Sequence, residues 1–117
     1  MSQRSEAEVW HELGAIMAGF SVLECDKCVL AATQWLASQG IEFKILQLKT
    51  KRRSELFIAS DRYSPSESIT ENGTHYGVEV FGRVFDNLSA EGLTREEWLQ
   101  DFHCPSQQFI LTELDSL

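Results

Sequence analysis

The stretch HYGVEVFGRVFDN, residues 75–87, predicts two antiparallel β-strands joined by a tight turn. Two registers fit this stretch. A turn at residues 82–83 would set Glu79 directly opposite Asp86, and a like-charge pair in that position destabilises a sheet. A turn at residues 81–82 avoids the pair and supplies a glycine where positive φ angles are common. We therefore predict a hairpin whose turn lies at residues 81–82.

This register places a histidine and a carboxylate on one face of the hairpin. One face carries His75, Gly77, Glu79 and Asp86, and the other carries Tyr76, Val78 and Phe85. His75 and Asp86 become diagonal neighbours, about 7–8 Å apart at the backbone, and Gly77 has no side chain to separate them. A carboxylate bonded to one imidazole nitrogen fixes the tautomer and leaves the other nitrogen for a nucleophile. We therefore predict His75 as general base and Asp86 as the residue that orients it. Glu79 is the alternative orienting residue.

Simpler interpretations of these residues remain open. A lone histidine on a strand is often half-exposed and bonded to whatever polar group lies near it. The Asp86-Asn87 pair at the end of a strand is also typical of a turn. Asn87 points to the opposite face of the hairpin, which makes Asp86 the better orienting residue.

The candidate nucleophile lies at the start of a helix predicted over residues 27–38. Asp26 is a good N-cap, and Gly40 can take the left-handed conformation that ends helices. A helix N-terminus favours a thiolate, and its backbone N–H groups can help to bind an oxyanion during acyl transfer. With Asp26 as the cap, Cys28 is the second helical residue and Cys25 lies outside the helix. Cys28 is thus the predicted nucleophile, and the alternative is that it is a small buried apolar residue.

The rest of the pattern predicts an α+β fold in which N-terminal helices pack on an antiparallel sheet. Apolar spacing, a capping box at residues 94–97 and turn signals predict helices over residues 6–20 and 94–102 and strands over residues 41–48, 55–60 and 108–112. No linker or repeat interrupts the pattern. We therefore expect residues 1–117 to form a single domain.

A polar segment at residues 61–74 immediately precedes the histidine. It is rich in serine and contains Pro65 and the turn signal Asn72-Gly73. Long loops in small domains are often functional. We expect this segment to shape a substrate cleft, with Tyr63 and Asn72 as candidate substrate-binding residues.

The charge and cysteine content narrow the classes of function. The net charge of −8 argues against a nucleic-acid partner, because affinity for phosphate rests on clustered Lys and Arg. The one basic cluster, residues 49–53, is interpreted as a solvated hairpin loop, or alternatively as a docking site for an acidic partner.

No apolar run of about 18 residues suggests a membrane span, and residues 1–6 do not resemble a signal peptide. Three cysteines favour a reducing, cytoplasmic setting, although export without a cleavable signal would leave no trace.

Several segments resemble the bacterial papain-fold toxin domains. They are CDKCVLAA at residues 25–32, SITENGTHYGVEV at residues 68–80, VFDNL at residues 84–88, and EGL at residues 91–93 with Trp98 beyond it. The similarity covers about residues 20–113, and the Asn-Gly-x-His and Phe-Asp-Asn segments are its most specific parts. It implies a minimal papain-like fold, with a thiol-bearing helix packed against an antiparallel sheet that carries the histidine and the acid.

The resemblance also implies cysteine peptidase, deamidase or acyl-transfer activity, often in the toxic module of a larger toxin. The positions that match the family are Cys28, His75 and Asp86. In papain the second cysteine of such a pair is catalytic, which again selects Cys28 over Cys25, and no glutamine precedes the helix to complete an oxyanion hole. The expected mechanism runs through a thioester and needs no cofactor. The expected partners are a protein or peptide substrate and a cognate immunity or antitoxin protein.

Two rival hypotheses remain. Cys25 and Cys28 have zinc-knuckle spacing, and His103 with Cys104 would supply the other ligands, but adjacent ligands are unusual and a second Cys-x-x-Cys pair is missing. The small size and strong acidity also fit a non-catalytic, antitoxin-like or partner-binding module.

Overall fold

The computed structural model describes residues 5–64 and 66–117, so residues 1–4 and the turn expected at Pro65 lie outside the described residues. Its helices are α1 (Glu6–Met17), α2 (Cys25–Ser38) and α3 (Arg95–Gln100). Its strands are β1 (Lys44–Thr50), β2 (Ala59–Ser60), β3 (Thr74–Val80), β4 (Arg83–Asp86), β5 (Ser89–Leu93), β6 (Phe102–His103) and β7 (Phe109–Leu114). This content confirms the predicted α+β class.

The strands form an antiparallel sheet in the order β5-β4-β3-β1-β7, and β2 and β6 pair separately. The predicted hairpin register is confirmed, because Val78 pairs with Phe85 and Val80 with Arg83. Both residues of the turn have positive φ angles, 50° and 78°, as a two-residue hairpin turn of this kind requires. The hairpin therefore lies near the middle of the sheet, where β3 also pairs with β1.

The three central strands of the sheet, β4, β3 and β1, contain buried residues on both faces. The first face packs against α1 and α2 through Leu13, Met17, Val29, Leu36, Ile45, Val78 and Phe85. The second face packs against α3 and the segments around β2 and β6 through Leu46, Leu48, Ile58, Val84, Trp98 and Phe102. His75 pairs with Leu48 across β3 and β1. Since directly paired residues share a face, His75 belongs to the second face.

The second helix begins two residues earlier than predicted. Its N-cap is Glu24, and Cys25 is its first helical residue. The prediction that Asp26 caps this helix was therefore wrong. The Glu24 side chain makes no cap hydrogen bond; instead its Oε1 accepts hydrogen bonds from the backbone N–H and hydroxyl of Ser21, both at 2.9 Å. The turn from Ser21 to Glu24 fixes the start of the helix without a side-chain cap.

The sequence predicted a hairpin loop at the basic cluster, residues 49–53. The structure does not form one there. Strand β1 pairs with β3 on one side and with β7 on the other, so no edge is left for β2. Residues 51–53 are exposed, and the chain beyond them leads away to the separate β2–β6 pair. The strand predicted over residues 55–60 shortens to Ala59–Ser60 for the same reason.

The capping box at the third helix is confirmed. The Thr94 hydroxyl accepts from the backbone N–H of Glu97, and the Glu97 side chain accepts from the backbone N–H of Thr94. The helix presents Trp98, which has no exposed surface, to the second face of the sheet. No helix in the described part of the chain is long and apolar enough to cross a membrane.

Gly77 leaves room for Trp98 in the middle of the sheet. A Cβ at this position would lie 2.9 Å from Trp98 Cζ2 and 2.9 Å from Val84 Cγ1. Both neighbours are buried, so they cannot move aside cheaply. The glycine therefore allows the indole ring to lie directly over β3.

We expect Gly77→Ala to destabilise the fold by about 1–3 kcal/mol, because an added methyl group overpacks a filled core. Urea unfolding of the two proteins measures this difference. Gly19→Ala is the matched control, since a Cβ there meets only the carbonyl oxygen of Ile16 at 3.4 Å. Equal losses of stability in both variants would contradict the proposed role of Gly77.

Candidate active site

The structure brings His75 and Asp86 into direct contact. His75 has no exposed surface and Asp86 is 1% exposed. The Nε2 atom of His75 lies 3.0 Å from Oδ2 of Asp86. An ionised carboxylate accepts only, so Nε2 carries the hydrogen and Nδ1 carries the lone pair of a neutral ring. The strands thus fix both the orientation and the tautomer of the imidazole.

The Asp86 carboxylate is surrounded by donors. Arg62 donates from Nη1 to Oδ1 at 2.9 Å and from Nη2 to Oδ2 at 2.8 Å. Trp98 donates from Nε1 to Oδ2 at 2.8 Å, and the backbone N–H of Leu88 donates to Oδ1 at 3.1 Å. Burial alone raises the pKa of Asp86, but the hydrogen bonds and charges of His75 and Arg62 outweigh it and hold that pKa well below its usual range. Asp86 is therefore an anion in the folded protein.

Arg62 connects the polar segment of residues 61–74 to the sheet. Its Nε donates to Asp101 Oδ2 at 2.9 Å, and its Nη1 also reaches Ser89 Oγ at 2.9 Å. Asp101 in turn accepts from the Ser60 hydroxyl. Sequence analysis missed Arg62, because nothing in its local pattern points to an acid 24 residues away.

The charges of this cluster explain the basicity of His75. One guanidinium, Arg62, stands against two carboxylates, Asp86 and Asp101, so the cluster carries one net negative charge while His75 is neutral. Burial lowers the pKa of His75, but the hydrogen bond and charge of Asp86, together with the nearby Cys25, outweigh it and raise the pKa to about 9. A proton on His75 brings the buried cluster to neutrality.

Two aromatic rings separate the imidazole from water. Trp98 stacks on His75 with ring centroids 6.0 Å apart, and Phe102 lies 5.1 Å away at a tilt. The two aromatic rings also meet edge to face at 4.9 Å. A buried indole needs an acceptor for its N–H, and Asp86 is that acceptor. Trp98 therefore belongs to the site through its packing and through its hydrogen bond.

Cys25 is the thiol that the structure places beside His75. It is the first residue of α2 and is 8% exposed. It lies close enough to raise the pKa of His75, but it makes no hydrogen bond of good geometry. The Nδ1 atom of His75 accordingly has no partner among residues 5–64 and 66–117. Since Asp86 occupies Nε2, Nδ1 is the nitrogen left for Cys25.

Cys28 lies one helical turn deeper and has no exposed surface. Its Sγ packs against Sδ of Met17 in the core between α1 and α2. Burial, together with the charges of Asp86 and Cys25, raises the pKa of the Cys28 thiol to about 12. The prediction of Cys28 as nucleophile followed from the wrong N-cap. Its surroundings favour the alternative of a buried apolar residue.

A cleft of about 270 Å³ opens beside Cys25. The start of α2 forms one wall, and the end of the polar segment with the first residues of β3 forms the other. Asn72, a predicted substrate-binding residue, lines this cleft, with its Oδ1 accepting from the backbone N–H of Thr74 at 3.1 Å. Tyr63, the other candidate, is 47% exposed and is not part of the cleft lining.

The backbone before α2 is anchored to the hairpin by Asn87. Its Nδ2 donates to the carbonyl oxygens of Ser21 and Val22. The first N–H groups of α2 have no side-chain cap, because Glu24 is bonded to Ser21 instead. These N–H groups are therefore available to stabilise negative charge next to Cys25.

The residues of the rival zinc hypothesis do not assemble. Within the described residues, no group of three or more His, Cys, Asp or Glu side chains is arranged to hold a metal ion. His103 instead contacts Asp61 at 3.1 Å, and Cys104 lies 3.6 Å from the carbonyl oxygen of Gln108.

A larger cavity of about 530 Å³ lies at the far end of the hairpin, beside Phe81 and Gly82, and shares no residue with the cleft at Cys25.

We expect the free energy of unfolding to fall by roughly 2 kcal/mol between pH 6 and pH 8.5. The folded-state pKa of His75 is raised from 6.5 to about 9, so the stabilisation is complete below about pH 6.5 and is lost as the pH rises through about 9. Urea unfolding at the two pH values measures it. His75→Gln should flatten the difference, and a wild-type protein equally stable at both values would contradict the charge balance described above.

A comparison with protein families places this geometry among known proteins. No curated protein and no solved structure gives a significant match to the chain. The model of the family described as papain fold toxin 2 matches residues 8–103, a span that contains Cys25, His75 and Asp86. The match confirms the resemblance seen in the sequence and, with the antiparallel sheet and its packed helices, the papain-like α+β fold. The chain belongs to the papain fold toxin 2 family.

Proposed function

We propose that this domain is a papain-like cysteine hydrolase, a peptidase or an amidase/deamidase, in which Cys25 is the nucleophile. His75 is the base and Asp86 orients it. One observation carries the proposal: the buried His75 has Nε2 bound to Asp86, while its unpaired Nδ1 is left for the thiol at the start of a helix. A buried nitrogen without a partner is costly in a purely structural role.

The first half of the reaction forms a thioester. His75 is protonated at neutral pH because of its raised pKa, and Cys25 reacts as the thiolate paired with it, attacking the carbonyl carbon of an amide bound in the cleft. The negative charge that develops on the carbonyl oxygen is stabilised by the uncapped N–H groups of α2. His75 then donates its proton to the departing amine, or to ammonia when the substrate is a side-chain amide, and the C–N bond breaks.

The second half releases the acid. Water attacks the thioester while the now neutral His75 accepts one of its protons, and Cys25 leaves as the thiolate, again paired with protonated His75, as the C–S bond breaks. The products are a carboxylic acid and the free enzyme. An amine in place of water would give transamidation by the same steps.

The choice of Cys25 over Cys28 rests on access and on partners. Cys25 lines the cleft and lies beside His75. Cys28 is enclosed by the apolar core, and its pKa of about 12 keeps it protonated at neutral pH. Only the thiolate is an effective nucleophile. The free thiols of all three cysteines suit a reducing compartment such as the cytoplasm, where a toxin of this kind would act and would be checked by a cognate immunity protein.

A non-catalytic, partner-binding role is the second candidate. The observation that favours it is the complete burial of His75 and Asp86 in a network of four charged residues, which would also hold the polar segment to the sheet if no reaction took place. Thiol reactivity separates the two candidates, because only a catalytic site needs an activated Cys25.

We expect iodoacetamide to alkylate Cys25 at least about tenfold faster than Cys28 or Cys104 in the folded protein, because Cys25 lies beside both a base and a cleft. Peptide mapping by mass spectrometry gives the three rates. His75→Gln should slow Cys25 alone. Circular dichroism shows whether this variant is folded, and Asp86→Asn provides a second test of the same pair. Equal rates at the three cysteines would favour the non-catalytic role.

We also expect Cys25→Ser to abolish toxicity when the domain is expressed in bacteria, since a serine hydroxyl in this site is a far weaker nucleophile. Cys28→Ala should retain toxicity, provided that the core tolerates it as judged by thermal unfolding. Cys104→Ser is the matched control, because Cys104 lies away from the cleft. Growth curves on induction measure the effect. Toxicity that persists without Cys25 would refute the assigned chemistry.

A further inference from the structure

The cleft beside Cys25 carries one carboxylate on each wall. Asp26 follows the proposed nucleophile on the wall formed by α2, and Glu71 stands on the opposite wall, in the polar segment before β3. Both residues are exposed. Neither carboxylate has a hydrogen-bond or ion-pair partner among residues 5–64 and 66–117, unlike the acids that hold the fold together. Substrate in this cleft therefore meets two carboxylates that no side chain in the described residues neutralises.

The cleft contains no positive side chain to balance them. Within the described residues, no lysine or arginine belongs to its lining. Lys27 is next to Asp26 in sequence but pairs with Glu24 at 3.5 Å. Arg62 is committed to Asp86 and Asp101 below the surface. The positive end of α2 acts on the carbonyl oxygen bound at its N–H groups, within about one helical turn, and does not reach the wall that carries Glu71.

The remaining surface of the cleft suits a long side chain with a charged end. Leu23 is 48% exposed at the rim. Tyr76 adds a half-buried aromatic ring and its hydroxyl to the lining, whereas Ile69 is fully buried and the Thr70 hydroxyl is bonded to Asn72 and Thr74. Lysine and arginine have apolar stems that cover such surfaces while the charged head remains near water or an acid.

We propose that the substrate is a basic protein segment, with a lysine or arginine at the residue whose carbonyl is attacked or next to it, held between Asp26 and Glu71. This proposal rests on the function proposed above and adds a substrate class to it. A charge pair about 4 Å apart near a wet surface changes affinity by roughly fivefold. Salt and solvent screen exposed charges, so we expect the two carboxylates together to favour a cation over a neutral group about threefold and over an anion about tenfold.

Matched peptidyl acyloxymethyl ketones test this preference without knowledge of the natural substrate. Three compounds are needed that differ only in the residue bearing the reactive ketone: lysine, norleucine or glutamate. The thiolate of Cys25 attacks the methylene carbon, the carboxylate leaves, and a thioether remains that mass spectrometry assigns to Cys25. We expect the lysine compound to label Cys25 about tenfold faster than the glutamate compound and about threefold faster than the norleucine compound.

Charge variants locate the origin of the preference. Asp26→Asn combined with Glu71→Gln should reduce the lysine-to-glutamate ratio to within about twofold, and any change in the reactivity of the thiol itself cancels in this ratio. Glu42→Gln removes the same charge beside the cavity at the far end of the hairpin and should leave the ratio unchanged. High salt should also reduce the ratio in the wild-type protein.

The outcomes distinguish this inference from the proposed function. Rapid labelling of Cys25 with a lysine-to-glutamate ratio below about two would overturn the basic substrate and leave the nucleophile intact. An unchanged ratio in the double variant would show that other groups set the preference and would overturn the role of these two acids. Failure of all three compounds to label Cys25 faster than Cys28 would overturn both proposals.

Discussion

The buried Asp86 carboxylate is the group on which the arrangement of this domain depends. A buried charge is tolerated only when it is paired and fully hydrogen-bonded, and here the side-chain donors come from three separate parts of the chain: His75 in β3, Arg62 in the polar segment and Trp98 in α3. Breaking such a pair would leave an uncompensated charge in the core. The same contacts that stabilise the anion therefore position His75, hold Trp98 against its ring and keep the cleft wall in place.

The sequence predicts the hairpin well because the forces that set its register act between close neighbours. One like-charge pair, Glu79 against Asp86, and one glycine at the turn were enough to choose the register that the structure confirms. The contact between His75 and Asp86 follows from that register. Arg62 and Trp98 could not be assigned to the site in the same way. They lie in a loop and in a short helix, and no periodic pattern in the sequence predicts where such segments lie relative to the sheet.

The choice between the two cysteines shows how a small error in a helix boundary changes the chemistry. Asp is a strong N-cap by propensity, yet the helix starts at Cys25 because Glu24 closes a turn with Ser21 and Asn87 ties that turn to the hairpin. A shift of two residues moves Cys28 from the helix start to the core. Local capping preference was outweighed here by a hydrogen bond from a residue 66 positions away along the chain.

Proton transfer from Cys25 to His75 moves negative charge in a favourable direction. Before the transfer, the buried cluster of Arg62, Asp86 and Asp101 has one excess negative charge and Cys25 is neutral. Afterwards the cluster, which then includes a protonated His75, is neutral, and the negative charge lies on the sulfur at the cleft wall, next to the uncapped N–H groups of α2. The total charge is unchanged, but the excess negative charge has moved from the buried interior to a helix N-terminus, where anions are stabilised. The imbalance of two carboxylates against one guanidinium thus supports both the raised pKa of His75 and the activation of the thiol.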